Sequence, residues 1–140
     1  MGVKGFFRFR LILSALTGVF FLTSNATGAD MTESDKNWDK VFAKSGMVDV
    51  SKVRFKNRYG IELTGDLYLP KGKASEKLAA IAVSGPFGAV KEQASGLYAQ
   101  TMAERGFAAL AFDPSYTGES GGEPRLVASP DINTEDFSAA

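Results

Sequence analysis

The sequence predicts an α/β fold, in which an antiparallel β-hairpin leads into a parallel β-α-β unit, preceded by an export signal. Three observations lead to this prediction. Apolar and polar residues alternate between residues 61 and 67, which is the period of two of a β-strand. Two continuous apolar runs, LAAIAV and FAALAF, flank a segment with helical spacing. A basic and then apolar stretch opens the chain.

The first 29 residues have the pattern of a signal peptide. Three basic residues and no acidic residue lie at the start: Lys4, Arg8 and Arg10. An apolar run follows over residues 11–22, and small residues come next. Thr27 and Ala29 stand at the spacing that signal peptidase recognises, which predicts cleavage before Asp30; cleavage after Ala26 is the alternative.

The predicted location is therefore secreted or periplasmic, with signal peptidase as the processing partner. A membrane span needs roughly 20 apolar residues and the run is shorter, although a retained signal anchor stays open as an alternative. Removing residues 1–29 takes away three of the 16 basic residues and none of the 16 acidic ones, which leaves a net charge of −3. Nucleic-acid binding requires a clustered positive excess, so no nucleic-acid partner is expected.

Residues 30–47 are predicted to form a short helical extension. Trp38, Val41 and Phe42 stand at positions i, i+3 and i+4, which favours an amphipathic helix that packs on an edge of the domain. The alternative is that Trp38 and Phe42 hold a ligand.

Residues 48–70 are predicted to form the antiparallel hairpin. Asn57 to Gly60 supplies turn residues, and Pro70 ends the second strand. In that strand Leu63 and Leu67 alternate with Thr64 and Asp66, so one face of the strand is expected to be buried. Residues 71–77 are expected to form a solvated loop.

Residues 78–113 are predicted to form a strand, a helix and a second strand. The strand over 78–83 is apolar without alternation, as in a strand covered on both faces. The helix over 94–105 places Leu97, Tyr98 and Met102 on one face, and Gly106 stands where a C-terminal cap belongs. Because the strand over 107–113 follows directly, the connection is a right-handed crossover between parallel strands.

A long loop rich in Gly, Pro and Ser follows residue 113, and a helix is predicted to start at Thr134. The loop contains GESGG over residues 118–122, which matches the G-x-S-x-G pattern of a nucleophilic serine. That pattern requires a strand before it and a helix after it, whereas Ser120 has loop residues on both sides and Pro124 soon after. Ser120 is therefore rejected as a nucleophile and is expected to hold the loop together with Asp113.

The hairpin, the two buried strands and the loops SGPFG and DPSYTGESGG together resemble the first half of the α/β-hydrolase fold. The resemblance is strongest to the dienelactone-hydrolase and X-Pro-peptidase-like esterase branch, and it covers residues 48–140. It implies a partial α/β-hydrolase domain whose active-site loop contains five residues of interest. These are Asp113, Tyr116, Gly118, Glu119 and Ser120.

The resemblance also implies an oxyanion-binding role for the loop SGPFG. An oxyanion requires backbone N–H groups aimed at it, and Phe87 stands where the family places its donor residue. Gly85 and Gly88 allow close approach of the backbone. The alternative is that this loop is only a turn. Lys91 and Glu92 follow it and are expected to support the loop or cap the helix.

The predicted function is the N-terminal portion of an exported α/β-hydrolase that acts on a small-molecule ester, amide or lactone. The sequence contains no His, so it has no imidazole for a catalytic triad, and this chain alone is expected to be inactive. No metal, cofactor or catalytic residue is expected on it. The alternatives are a small exported non-catalytic binding protein, and a dyad of Ser120 with Lys91 or Asp113. The dyad is disfavoured because Lys91 is expected at an exposed helix start.

Overall fold

The computed structural model divides the chain into two units, Met1–Asp30 and Met31–Ala140, and describes residues 37–140. The predicted signal peptide and residues 30–36 lie outside the described residues. The elements of the described range are β1 (Val48–Lys56), β2 (Glu62–Pro70), β3 (Ala80–Val83), α1 (Ala94–Glu104), β4 (Ala108–Phe112) and α2 (Pro130–Ala139). Within this range no helix is both long and apolar enough to cross a membrane.

The four strands form one mixed sheet in the order β1-β2-β4-β3. β1 and β2 pair antiparallel, from Val48 opposite Pro70 to Lys56 opposite Glu62. β2 pairs antiparallel with β4, and β3 pairs parallel with β4. The predicted hairpin and the predicted β-α-β unit are both confirmed. The carboxyl ends of β3 and β4 consequently lie side by side at one edge of the sheet.

α1 packs on the sheet through small residues. Ala99 and Ala103 are buried against Tyr68, Ala109 and Ala111. Of the three residues predicted to share one face, Met102 packs against this core, whereas Leu97 is 47% and Tyr98 53% exposed. The physical reason is close approach: small side chains bring the helix backbone near the strands, and larger ones do not fit between them.

The C-terminal end of α1 is capped as predicted. Gly106 has φ +100°, and its N–H donates to Ala103 O at 2.9 Å. The N–H of Phe107 donates to Met102 O at 3.2 Å. This pair of hydrogen bonds is a Schellman motif, which favours glycine at the left-handed position.

β2 is buried on both faces, whereas alternation predicted one buried face. Thr64 and Asp66 are buried, since β2 lies between β1 and β4 and is covered on the α1 side. Asp66 Oδ2 lies 2.8 Å from Lys40 Nζ. Burial opposes the charge on Lys40, but its bonds to Asp39 and Asp66 outweigh it and raise its pKa.

β3 is shorter and more exposed than predicted. It begins at Ala80 rather than residue 78, and Ala80 and Ala82 are exposed. The prediction that both faces of β3 are covered was wrong, because β3 is an edge strand of the described sheet. The sheet face opposite α1 carries an open apolar groove of about 460 Å³. The groove is lined by Val53, Leu67, Ala80, Ile81, Ala82, Ala108, Leu110 and Ala140.

Residues 37–46 form turns and bends, so the predicted helix was wrong over this range. Trp38 and Phe42 nevertheless pack against the core. Their rings contact each other edge to face, with 5.7 Å between the ring centroids. Long-range partners replace helical hydrogen bonds: Val41 N–H donates to Glu92 O, and the Gln100 amide donates to Ala43 O. These partners satisfy the backbone groups that a helix would have paired locally.

α2 begins at Pro130, earlier than the predicted start at Thr134. Ser129 accepts a hydrogen bond from Ile132 N–H, and proline occupies the first turn, where its missing N–H costs nothing. Asp136 therefore lies beyond the first turn of α2. Its carboxylate is buried and accepts hydrogen bonds from Asn57 Nδ2, from Ser115 N–H and from Ser115 Oγ, each at 2.8 Å. α2 is thereby attached to the hairpin turn.

Candidate functional site

The loops that follow β3 and β4 meet at the carboxyl edge of the sheet and enclose a small cleft of about 50 Å³. This edge is where open α/β sheets commonly bind ligands, because the loops there converge while the strands hold them rigidly. The cleft is lined by Gly85, Pro86, Phe87, Gly88, Ala89, Pro114, Thr117, Val127, Ala128 and Asn133.

The SGPFG loop is a tight turn with an available backbone donor. Ala89 N–H donates to Pro86 O at 3.0 Å, and Gly88 has φ +82°. A Cβ on Gly85 would lie 2.8 Å from Ala89 Cβ, so the turn closes only around glycine. Phe87 is 72% exposed, and its N–H forms no hydrogen bond to any residue in the range 37–140. Phe87 also lines the cleft, so a backbone donor without a partner in the described part of the chain lies there.

Asp113 organises the loop that follows β4. It is fully buried, and its Oδ1 accepts a hydrogen bond from Lys91 N–H at 2.8 Å. Its Oδ2 accepts from Glu119 N–H at 3.0 Å and lies 2.9 Å from Lys91 Nζ. A Cβ on Gly118 would lie only 2.3 Å from the same Oδ2. Asp113 therefore joins the two cleft loops, and glycine at position 118 makes room for its carboxylate.

Lys91 is buried, which corrects the expectation of an exposed helix start. Its ammonium lies 2.5 Å from Glu92 Oε1, 2.9 Å from Asp113 Oδ2 and 2.7 Å from Glu119 Oε2. Burial lowers the pKa of Lys91, but the hydrogen bonds to its three carboxylate partners outweigh burial and raise the pKa above its usual range. Lys91 therefore stays protonated and is unsuited to act as the base of a dyad.

The three carboxylates around Lys91 are close enough to hold a metal ion, since one oxygen from each lies within 4.8 Å of the others. The Lys91 ammonium bonds all three of them, so it supplies the positive charge at this position. Glu119 also accepts from Lys52 Nζ at 2.5 Å. These two lysine partners lower the pKa of Glu119 to about 2.

Ser120 is buried and fully engaged in loop structure. Its Oγ donates to Asp113 O at 2.6 Å and accepts from Thr64 N–H at 2.9 Å. The segment before it forms turns, in which Ser120 N–H donates to Thr117 O. The hydroxyl therefore has no free approach to a carbonyl carbon, and the strand and helix of a nucleophile elbow do not flank it.

Tyr116 and Glu119 do not line the cleft beside Phe87. Tyr116 has φ +71°, and its ring lies against Gly122, where a Cβ would come within 2.4 Å of Tyr116 Cδ1. The ring faces a separate open groove. The sequence instead missed cleft residues such as Thr117 and Asn133. The Ser129-Pro130 helix start was the signal that could have placed Asn133, since it puts that residue in the first turns of α2.

Arg125 is a second residue that sequence reasoning missed. Its guanidinium donates to Gly118 O at 2.7 Å and also to Ser120 O. These bonds tie the end of the loop to its centre, because five fixed donors let arginine bridge several carbonyl groups. In the loop after β4, Asp113 thus bonds a backbone N–H group and Arg125 bonds backbone carbonyl groups.

No protein-family model matches this chain. It is 66% identical over 119 residues to the uncharacterized protein PA2218 of Pseudomonas aeruginosa, a match that covers 84% of this chain and 32% of that protein. The crystal structure of PA2218 superposes with a TM-score of 0.70 over 74% of this chain and 32% of that structure, at 71% identity. The fold described above therefore occurs in a longer protein.

Two further relatives carry a name that states an activity. The α/β-hydrolase GrgF from Penicillium sp. sh18 matches with a TM-score of 0.56 and 30% identity, over 64% of this chain and 30% of GrgF. The thiohydrolase aneE of Aspergillus aculeatus is 37% identical over 87 residues, which are 62% of this chain and 26% of aneE. This chain spans about a third or less of each of these proteins. Its structural neighbours are α/β-hydrolase-type proteins.

Proposed function

We propose that this chain is the N-terminal portion of an exported α/β-hydrolase of the dienelactone-hydrolase and X-Pro-peptidase-like branch. The observation that carries the proposal is the Phe87 N–H, which has no partner among the described residues. It belongs to a loop that lines a cleft at the carboxyl ends of two parallel strands. The likeness to hydrolase-type proteins supports it. This chain matches only 32% of PA2218, which supports the view that the functional protein is longer.

The role of this part of the enzyme is to stabilise the transition state. In acyl transfer, negative charge develops on the carbonyl oxygen, and a preoriented backbone N–H stabilises that charge. Phe87 N–H supplies one such donor. The nucleophile, the histidine and the acid come from residues outside this chain, since it has no His and its Ser120 hydroxyl is already engaged at both polar positions.

The substrate class that fits is a small molecule with an ester, amide or lactone bond. Each of these groups passes through a tetrahedral intermediate with an oxyanion, which is the species that the Phe87 donor recognises. The relative aneE is named a thiohydrolase, and we therefore include thioesters in the substrates to be tested, since hydrolysis of a thioester passes through the same kind of intermediate.

A chimera tests this function. Residues 48–140 of this chain replace the matching segment of PA2218, and the purified chimera is assayed with p-nitrophenyl esters, thioesters and lactones beside unmodified PA2218. Turnover of one substrate class by both proteins is expected, and none by the 140-residue chain alone. At a temperature where the chimera is folded, Ser120→Ala is expected to lower its kcat by less than about tenfold. Loss of a true nucleophile lowers kcat by about 10⁶-fold.

Two results would contradict the function. If neither PA2218 nor the chimera hydrolyses any member of the panel, the hydrolase assignment fails. If the 140-residue chain itself hydrolyses a substrate and Ser120→Ala abolishes that turnover, the nucleophile belongs to this chain and the division of labour is wrong.

Export is the second part of the proposal, and the signal residues carry it. Expression with a C-terminal tag in a Gram-negative host is expected to give a periplasmic product whose N-terminus is Asp30 by mass spectrometry. Ala29→Arg places a large charge at the cleavage site, so the precursor should accumulate uncleaved. Ala26→Arg is the matched control and should be processed normally. A cytoplasmic product that retains Met1 in all three cases would refute export.

A further inference from the structure

The Lys91 cluster consists of Lys91, Glu92, Asp113 and Glu119, and it joins the two loops that form the cleft. Glu92 is the next residue along the chain, while Asp113 directly follows β4 and Glu119 belongs to the loop beyond it. The Lys91 side chain and the Asp113 side chain are both fully buried. Breaking a buried ion pair of this kind is strongly destabilising, since the loss of either partner leaves an uncompensated charge.

Asp113 binds Lys91 at two points rather than one. Its Oδ1 accepts from the Lys91 backbone N–H at 2.8 Å, and its Oδ2 lies 2.9 Å from Lys91 Nζ. One bond alone would fix a distance and leave the peptide free to rotate. Two bonds from one carboxylate to the main chain and side chain of the same residue also fix the orientation of the peptide.

The loop that carries Phe87 is thereby held at both ends. At its start, Val83 pairs with Ala111 in the parallel ladder. At its end, Lys91 is held by Asp113, which itself donates its backbone N–H to Thr64 O at 3.0 Å. Between these ends the chain forms a single closed turn, in which the N–H of residue 89 donates to the carbonyl of residue 86. The direction of Phe87 N–H consequently depends on where Lys91 sits.

We propose that Lys91 is a positioning residue that orients the Phe87 N–H toward the substrate oxyanion, an inference that rests on the proposed function. Lys91 does not touch the reacting atoms in this role. Its ammonium bonds three carboxylates and keeps the β3 loop in register with the loop after β4. An oxyanion donor stabilises the transition state only when it is aimed within a fraction of an ångström, so this register determines kcat.

The test compares Lys91→Met with Lys52→Met in the PA2218 chimera. Both changes remove a lysine that bonds Glu119, but Lys52 is a half-exposed residue of β1, whereas Lys91 ends the Phe87 loop and also bonds Asp113. Lys91→Met is expected to lower kcat by about 100-fold with KM changed less than about threefold, the loss typical of a misplaced oxyanion donor. Lys52→Met is expected to leave both constants unchanged. Equal kcat for the two variants would overturn the inference.

A second measurement uses the 140-residue chain itself and needs no activity. Amide hydrogen exchange of Ala89, whose N–H is bonded to Pro86 O, reports whether the turn is held. Lys91→Met is expected to accelerate Ala89 exchange at least tenfold while the amides of Leu110 and Ala111 keep their protection. Uniform acceleration across the sheet would show a general loss of stability and would refute a positioning role.

A milder variant covers the case in which Lys91→Met does not fold. Glu119→Gln removes one carboxylate charge at a half-exposed position, so folding is expected to persist. It should lower kcat between three- and tenfold and leave KM unchanged, while an unchanged kcat would count against the inference. If neither PA2218 nor the unmutated chimera is active, the proposed function fails, whereas the Ala89 exchange result still decides whether Lys91 holds the loop.

Discussion

Gly118→Ala is expected to lower the free energy of unfolding by about 2 to 5 kcal/mol. Two effects add: a non-glycine residue at φ +52° is strained by about 1 to 2 kcal/mol, and the new Cβ would lie 2.3 Å from Asp113 Oδ2. The carboxylate has no room to retreat, because Lys91 N–H and Glu119 N–H both hold it. Urea denaturation followed by circular dichroism measures the loss.

Gly72→Ala is the matched control for this prediction. Gly72 also has a left-handed backbone, with φ +75°, but no atom of the described residues lies within 4 Å of the position that a Cβ would occupy there. Only the backbone strain applies at this position, so a loss of about 1 to 2 kcal/mol is expected. If the two substitutions destabilise the protein equally, the Asp113 carboxylate moves without cost and its role as the centre of the loop is wrong.

Asp136→Ala is expected to destabilise the protein by about 3 kcal/mol or more and to release α2, because a buried donor without an acceptor costs about 1 to 3 kcal/mol. The carboxylate accepts from Asn57 Nδ2, from Ser115 N–H and from Ser115 Oγ, and both of these partner residues are buried. Removal of this one carboxylate therefore leaves several buried donors without an acceptor. Limited proteolysis should then cut within residues 130–139, and urea denaturation gives the magnitude.

Asp131→Ala serves as the control for the helix itself. Asp131 is exposed in the first turn of α2, where a carboxylate interacts with the helix dipole for about 0.3 to 1 kcal/mol. Asp136→Asn should lie between the two, since an amide oxygen replaces one acceptor and an amide nitrogen opposes a donor. A loss for Asp136→Ala no larger than that for Asp131→Ala would show that the buried hydrogen bonds do not attach α2.

The sequence predicted those parts of the fold whose signals are local. The hairpin turn at Asn57 to Gly60 and the cap at Gly106 appear where their residues indicated, and both apolar runs form strands, although β3 is shorter than its run. Each of these depends on the conformational preference of a few consecutive residues. The rejection of Ser120 as an elbow nucleophile also followed from its neighbours in the chain.

The predictions that failed concern which surface each element buries. Trp38 and Phe42 suggested a helix, yet residues 37–46 are held by hydrogen bonds to α1 and to the segment before it. Leu97 and Tyr98 suggested a buried face, yet the buried positions of α1 are occupied by smaller residues. In both cases contacts with residues distant in the sequence decided the outcome, and such contacts are not encoded in local periodicity.

The sequence alone determined the order of strands and helix, the resemblance to the α/β-hydrolase fold and the absence of a histidine. Only the tertiary structure decided that Lys91 is buried, that it joins Asp113 to Glu119, and that Phe87 N–H has no partner among the described residues beside the cleft. The physical reason is that a short-range preference depends on neighbouring residues, whereas the burial and pairing of Lys91 with Asp113 join groups that are 22 residues apart along the chain.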